Sequence, residues 1–265
     1  SIGISLIISL FASYIYAKKI TKPIKEICNV TKDMKILKKL LLTILILMIV
    51  LISILFIIGY STYTKALKEK PLINRVTEIT TKENFIKFDN LSEYYRNAVI
   101  AVEDHRFYDH GPVDFIAICR AFYTNLKNKE LQEGGSTITQ QVAKNIIFSQ
   151  EQTWTRKLGE IFAAYDLEKN YTKNQIFEIY VNTAYFGEGY YGIYEASHGY
   201  YKKEPKDLTL DEASMLAGIP NAPSIYSPNV NINLAKKRQA HVIKKMQEYG
   251  YISQEQSLPF LSYSY

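Results

Sequence analysis

The chain has 265 residues, is 47% hydrophobic and carries a formal net charge of +6, enough for one domain plus a membrane-bound segment. Residues 1–70 hold eleven Lys and no Arg against Glu26, Asp33 and Glu69, a balance of +8, whereas residues 71–265 hold 21 basic and 23 acidic side chains, a balance of −2. A nucleic-acid footprint needs its basic stripe on the folded part, so no nucleic-acid partner is expected, and two cysteines make neither a disulfide framework nor a zinc site.

Residues 2–17 are apolar but short, and residues 18–39 carry eight lysines. Residues 40–60 run for 21 positions without a charge, about 31 Å as a helix, which matches a hydrocarbon core of about 30 Å. One transmembrane helix is therefore expected at 40–60, with 2–17 as a possible second. The positive-inside rule places the lysine-rich segment in the cytoplasm and everything after Tyr60 outside. Cys28 and Cys119 then lie on opposite sides of the membrane, and Cys119, in the apolar run 115–122, reads as a core residue.

Residues 61–90 read as a stalk with little periodicity, apart from a short strand-like piece at 76–79. From Leu91 the pattern is helical. Tyr94, Ala98, Val99 and Val102 recur at helical spacing up to Glu103. Gly134-Gly135 breaks the chain, and Ser136 or Thr137 can cap a helix to about Phe148. Thr153 or Thr155 opens the next helix toward Asn170, and Thr172 opens another. Thr209 to Glu212 has the form of a capping box, and a last helix spans about Asn233 to Tyr249 before Gly250. The fold class is mostly α: 1–39 an apolar and basic lead-in, 40–60 the span, 61–90 a stalk, 91–255 the helical domain and 256–265 a tail.

Glu103-Asp104 stands where an apolar helix meets a loop with Phe107, Tyr108 and His110. A carboxylate beside aromatics is partly desolvated, which suits a general base, while Asp104 and His110 equally suit a hydrogen-bonded loop. Ser136, Gln140 and Lys144 form one polar stripe at i, i+4, i+8. Hydroxyl, amide and cation suit a sugar or phosphate, although a solvated face explains the same spacing. Arg156 and Lys157 fall at i+4 and i+3 spacing from Glu160, either a surface ion pair of about 0.3–0.5 kcal/mol or a receptor for an anionic leaving group. Glu178 and Asn182 repeat the i, i+4 spacing on an apolar helix, where a hydrogen-bonded core role is the simpler reading.

In order, these segments resemble the family-51 peptidoglycan glycosyltransferases. The family's ED-x-x-F-x-x-H-x-G-x-D run corresponds to Glu103 through Asp114, and its G-x-S-T-x-x-Q-Q motif to Gly134 through Gln141, followed by Lys144-Asn145. R-K-x-x-E is Arg156 to Glu160, and further matches fall at Ile176 to Asn182, Leu216 to Pro223 and Arg238 with Val242-Ile243, so that the resemblance covers about residues 75–252. It departs at Pro112, where Gly is usual, at Gln152, where a basic residue is common, and at Gln239, which replaces the second Arg of a pair.

The resemblance implies a lysozyme-like helical domain acting on lipid II. Glu103 would deprotonate the acceptor 4-hydroxyl, and Lys144, Arg156 and Lys157 would hold the departing pyrophosphate. Glu160 would act catalytically beside them, with a divalent cation, Mg²⁺ or Mn²⁺, as the implied cofactor at that carboxylate. Arg120, Ser136, Thr137, Gln140, Gln141 and Asn182 would bind substrate, and Asp104, Phe107, His110, Gly135 and Glu178 would support the site. The implied partners are lipid II, the growing glycan strand, membrane lipids and proteins of a cell-wall synthesis complex, at the outer face of a bacterial cell membrane.

Transpeptidase elements S-x-x-K, S-x-N and K-T-G are not arranged as such before Tyr265. The chain is thus expected to be a monofunctional enzyme or the glycosyltransferase part of a class A penicillin-binding protein. A lytic peptidoglycan-cleaving enzyme is the alternative of similar fold, and the Arg156-Lys157-Glu160 cluster argues against it. Residues 14–35 also resemble the junction between a membrane helix and a HAMP linker, incomplete here. That segment is the sole support for a non-enzymatic membrane scaffold.

Overall fold

A computed structural model describes residues 2–128, 134–148 and 153–263, with the side chains of residues 2–16, 20, 23–33, 128 and 263 outside that description. Gln152, the Cys28 side chain and much of the HAMP-like stretch therefore lie outside the described residues. In chain order the helices are α1 Ile2–Glu69, α2 Leu72–Thr80, α3 Glu93–Glu103, α4 Phe115–Asn128, α5 Ile138–Ile147 and α6 Trp154–Asn170. They continue as α7 Lys173–Thr183, α8 Ile193–Tyr201, α9 Leu210–Gly218, α10 Pro223–Tyr226, α11 Ile232–Glu248 and α12 Gln254–Ser257. Among the described residues no strand forms, only a bridge between Tyr185 and Tyr191. The fold is mostly α, as the sequence implies.

The chain divides into two compact units, residues 1–56 and 57–265. The first lies within α1, whose portion Met34–Glu69 reaches a mean hydropathy of 3.4 with none of that window buried. It is long and apolar enough to cross a membrane. The lead-in and the span, expected as separate segments, belong to one continuous helix.

In the second unit the helix termini follow local chemistry. Thr137, Thr172 and Thr209 each accept a hydrogen bond from the third residue of the following helix, whose Gln or Glu side chain answers to the cap's own backbone N–H. Such caps contribute about 1 kcal/mol each. Gly192 opens α8 at φ 85°, where a Cβ would lie 2.8 Å from the Asn182 carbonyl oxygen, so only glycine fits. Helices α3, α9 and α11 pack on one another, and α5 packs on α6 and α7. One continuous core unites these helices, with Phe107, Ile138, Leu167, Phe177, Phe186 and Leu216 fully buried.

Four sequence expectations need correction. Residues 61–90 are no stalk. Helix α1 continues to Glu69, and α2 follows with Leu72 and Val76 buried in the domain core beside Ile86. The residues read as strand-like, 76–79, are helical, because Leu72, Val76 and Ile79 share one face at helical spacing. In α3 the buried face is carried by Tyr95, Ala98 and Val99, while Tyr94 is 38% exposed. Finally, the apolar run 115–122 is no core segment: on α4, Phe115 and Phe122 are 69% and 70% exposed, and Cys119 is exposed too.

The last turns of α1 are docked on α6. Tyr60 meets Phe162 edge to face at 5.7 Å, and the Tyr63 hydroxyl donates to Asp166 at 2.7 Å. Gly59 and Gly159 permit this approach: a Cβ on Gly59 would sit 2.8 Å from Phe162, and one on Gly159 would sit 3.2 Å from Thr62 of α1.

Candidate active site

A cleft of about 570 Å³ opens between two walls, α5 with α6 on one side and α11 on the other, with the end of α3 as its floor. Arg120 of α4 and Ser136 complete the rim.

Glu103 ends α3 and lies in this cleft. Its Oε2 accepts a hydrogen bond of 2.8 Å from the Gln141 amide. Its Oε1 is enclosed and meets no hydrogen-bond partner among the described residues. Fully buried Tyr95 and Tyr180 lie close by. Burial first, then the Glu103 charge, raises both phenols above their ordinary value, so they stay neutral. Oε2 is thus held by Gln141, while Oε1 is enclosed without a hydrogen-bond partner among the described residues.

The loop behind Glu103 is fixed by Asp104, which is buried. Its Oδ2 accepts from the Ile138 backbone N–H at 3.0 Å, at the start of α5, and its Oδ1 faces His110 Nε2 at 2.7 Å. The other ring nitrogen faces the Gly111 carbonyl. Both nitrogens meet acceptors, the arrangement of an imidazolium. Burial opposes that charge, but the bonds to Asp104 and Gly111 and the Asp104 charge outweigh it, and the His110 pKa lies above its ordinary value. The Pro112 carbonyl receives the Thr137 hydroxyl, and Gly111 does not adopt a left-handed backbone, so the Gly111-Pro112 departure is accommodated without strain.

This linkage has a definite sign. A raised folded-state pKa contributes stability that is full below the unfolded value and is lost as pH rises through the folded value. We expect His110→Gln to melt well below wild type near pH 6, and the gap to narrow toward about pH 9. A gap independent of pH would show that His110 is neutral.

Asp104, His110 and Asp114 are close enough to hold a metal ion. Their ligand atoms are already engaged: Asp114 takes a two-pronged pair from Arg106 at 2.7 and 3.0 Å and also caps the backbone of Ile116 and Ala117. The cluster is a loop clamp.

On the α5–α6 wall Glu160 is 1% exposed, with Lys157 Nζ 2.6 Å from Oε2 and Arg156 Nε 3.0 Å from Oε1. Lys157 also donates to Ser136 Oγ at 2.9 Å. Burial lowers the Lys144 pKa, and the neighbouring Lys157 and Arg156 add to that against the pull of Glu160 and Glu103. Three cations thus surround one carboxylate, a receptor with surplus positive charge. The same set does not fit a resident Mg²⁺ or Mn²⁺, because both Glu160 oxygens face cations and, among the described residues, no second carboxylate groups with it.

The structure brings Glu103, Arg120, Ser136, Gln140, Gln141, Lys144, Lys157 and Glu160 to one cleft. Arg156 reaches it only through Glu160, and its own side chain lies outside the lining. Thr137 is no ligand: it is buried and its hydroxyl serves the α5 cap and Pro112. Gln140 gives its carbonyl oxygen to the same cap, because the third helical position faces back on the cap residue. Asn182 is placed away from the cleft, where its amide brackets Ile86 by accepting from that backbone N–H and donating to the carbonyl, while Glu178 receives the Phe88 N–H. Gly135 lets the loop pass α4, since a Cβ would lie 3.1 Å from Ile118 Cα. Phe107 is fully buried against Phe177.

Sequence reasoning named Arg238 only as a motif position and missed the rest of the α11 wall: with Arg238 stand His241 and Lys245, then Glu248 and Tyr249. The i, i+3, i+7 spacing of the first three marks one helix face and was available in the sequence. His105 was also missed. Its ring stacks on Tyr249 at 4.2 Å and lies 3.3 Å from Arg120, and burial together with that cation lowers its pKa. Gln239, in the departing position, is buried and ties α11 to Asp211 and Ser214 on α9.

Comparison with known proteins gives a consistent picture. The transglycosylase family model matches residues 70–247. A protein of Cupriavidus necator, provisionally named a transglycosylase, is 40% identical over 71% of this chain and 81% of its own length. Penicillin-binding protein 1A of Neisseria flavescens is 46% identical over 66% of this chain and 22% of its own, and penicillin-binding protein 1F of Bacillus subtilis is 43% identical over 65% and 24%. The chain thus matches about a quarter or less of those penicillin-binding proteins.

Proposed function

The chain belongs to the transglycosylase family, and from that membership we propose that it polymerises lipid II into β-1,4-linked glycan strands, releasing undecaprenyl pyrophosphate. Glu103 is the general base. Its carboxylate takes the proton from the 4-hydroxyl of the acceptor N-acetylglucosamine as that oxygen attacks the anomeric carbon of the donor N-acetylmuramic acid. The bond to the pyrophosphate breaks with inversion at that carbon. Negative charge then grows on the leaving group, where Lys144 and Lys157 stabilise it before any reorganisation is needed. Arg156 acts on this charge at longer range and fixes Glu160.

The observation that carries this reading is that the Glu103 carboxylate and the Lys144 and Lys157 cations line one cleft. Cleaving a glycan requires no pyrophosphate receptor, so the lytic alternative leaves Lys144 and Lys157 without a task. The test is polymerisation from purified lipid II by the chain in detergent or nanodiscs. Absence of polymer from the folded wild-type chain would refute the function.

The lipid tail of such a substrate stays in the bilayer, so the cleft must work at the membrane surface. The hydrophobic α1 anchors the enzyme there, with the catalytic domain on the outer side as the lysine distribution directs. The exposed apolar face of α4, with Phe115, Phe122 and Leu126, is the surface that meets lipid. Burying one Phe is worth about 1.5–3 kcal/mol. We expect Phe122→Glu to lower turnover of lipid II in vesicles about ten-fold without lowering the melting temperature. Unchanged vesicle turnover would remove α4 from the membrane interface. The growing glycan strand and proteins of the cell-wall synthesis complex are the further partners of this function.

A further inference from the structure

The two consecutive glutamines at the start of α5 have different surroundings. Gln140 is 3% exposed and spends its carbonyl oxygen on the capping box. Gln141, about 100° further round the helix, points its amide at Glu103 and donates to Oε2 at 2.8 Å. Next to it, Asp104 Oδ2 accepts from the Ile138 N–H at 3.0 Å. The end of α3 is therefore joined to α5 at two successive residues. Since α5 is itself immobilised through Ile138 and Val142, both fully buried, Gln141 is a fixed donor.

We propose that Gln141 is the positioning residue of the base, holding Oε2 of Glu103 and so fixing the carboxylate in the cleft for the acceptor hydroxyl. Gln141 thereby acts through Glu103 and is no substrate ligand. The proposal rests on glycosyl transfer by Glu103.

The charged surroundings show why a holder is needed. Lys144 lies one turn further along α5 and attracts Glu103, as the mutual electrostatic effect records. Tyr95 from α3 and Tyr180 from α7 are buried beside the carboxylate. Across the cleft stand Lys157 and Glu160 on α6 and Arg238 with Lys245 on α11, and Arg120 and His105 lie at the rim. A Glu103 carboxylate released by Gln141 is free to turn toward Lys144, and an ion pair there occupies the oxygen that should take the proton. The amide donor also stabilises the charged form of the carboxylate, so its loss favours the protonated form.

The experiment is the pH dependence of lipid II polymerisation by the full chain in nanodiscs, for wild type, Gln141→Leu and Gln141→Lys, with melting temperatures measured in parallel. For Gln141→Leu we expect kcat to fall about 10- to 100-fold, KM to stay within about three-fold, and the acid limb of kcat/KM to move up by about one unit. Gln141→Lys, a charged donor, moves that limb the other way, which a fold defect cannot mimic. A raised KM with the acid limb in place would return Gln141 to substrate binding and overturn the proposal. So would an unaltered kcat. The Glu103 side-chain carbon, followed by NMR in ¹³C-glutamate-labelled protein, titrates higher in Gln141→Leu whether or not lipid II is turned over. An inactive wild type would count against the glycosyltransferase reading, and an unshifted Glu103 resonance against Gln141 alone.

Discussion

Glu103→Gln is expected to abolish glycan strand formation, with kcat lowered about 10³-fold and the fold intact. The substitution is isosteric, and its amide oxygen can still accept the Gln141 hydrogen bond seen at 2.8 Å. The contacts that position α3, above all Asp104 with Ile138 and His110, are untouched. What is lost is the basic oxygen. General-base catalysis is worth about 10²–10⁴ in rate, and near-complete loss is expected because the enclosed Oε1 has no neighbour ready to substitute for it. Glu103→Asp offers a finer reading: it keeps the charge and shortens the reach by one methylene. An activity between those of wild type and Glu103→Gln is expected, since misplacing a reacting group by about 1 Å can cost 10²-fold. Polymer yield from Glu103→Gln above about a tenth of wild type would remove Glu103 from the chemistry.

Helix starts were the most legible part of this chain, because a threonine followed three residues later by Gln or Glu is a complete local instruction. Thr137, Thr172 and Thr209 all cap as their sequence context dictates. The span was legible for a similar reason, since 21 uncharged apolar residues need no tertiary context. Residues 61–90 were illegible because their apolar positions are few, and only the partner surface decides that Leu72, Val76 and Ile86 are buried. The 115–122 run misled in the opposite sense. Its composition suits a core, yet its exposure follows from what surrounds the cleft.

Within the site, residue types were legible and directions were not. Gln140 and Gln141 are identical in the sequence, and capping geometry gives one to the backbone and the other to Glu103. The resemblance implied that Asn182 binds substrate, but Asn182 and Glu178 hold the 86–88 backbone, the core role their apolar helix suggested. Most of the α11 wall was missed because its residues are distant in sequence from the Glu103 motif and join it only when α11 packs on α3.

Glu160 carries the second large effect, and its direction separates stabilising a leaving group from merely binding it. The carboxylate is almost fully buried and holds Lys157 at 2.6 Å and Arg156 at 3.0 Å. Glu160→Ala removes the compensating charge and opens space beside it, taking this anion from the largely buried Arg156, while solvent screens the 43% exposed Lys157. We expect a clearly lowered melting temperature for that variant. Glu160→Gln keeps the volume and isolates the charge. Without the anion, Lys157 is no longer aimed, and the preorganisation that lowers the barrier is lost, so kcat should fall about 10²-fold. The net positive charge of the receptor rises at the same time, so inorganic pyrophosphate should inhibit Glu160→Gln at lower concentration than wild type. Slower chemistry with tighter product binding is the signature of an aiming carboxylate. Had Glu160 served only as a surface ion pair, turnover and pyrophosphate inhibition would both stay at wild-type values, and that outcome would remove it from the mechanism.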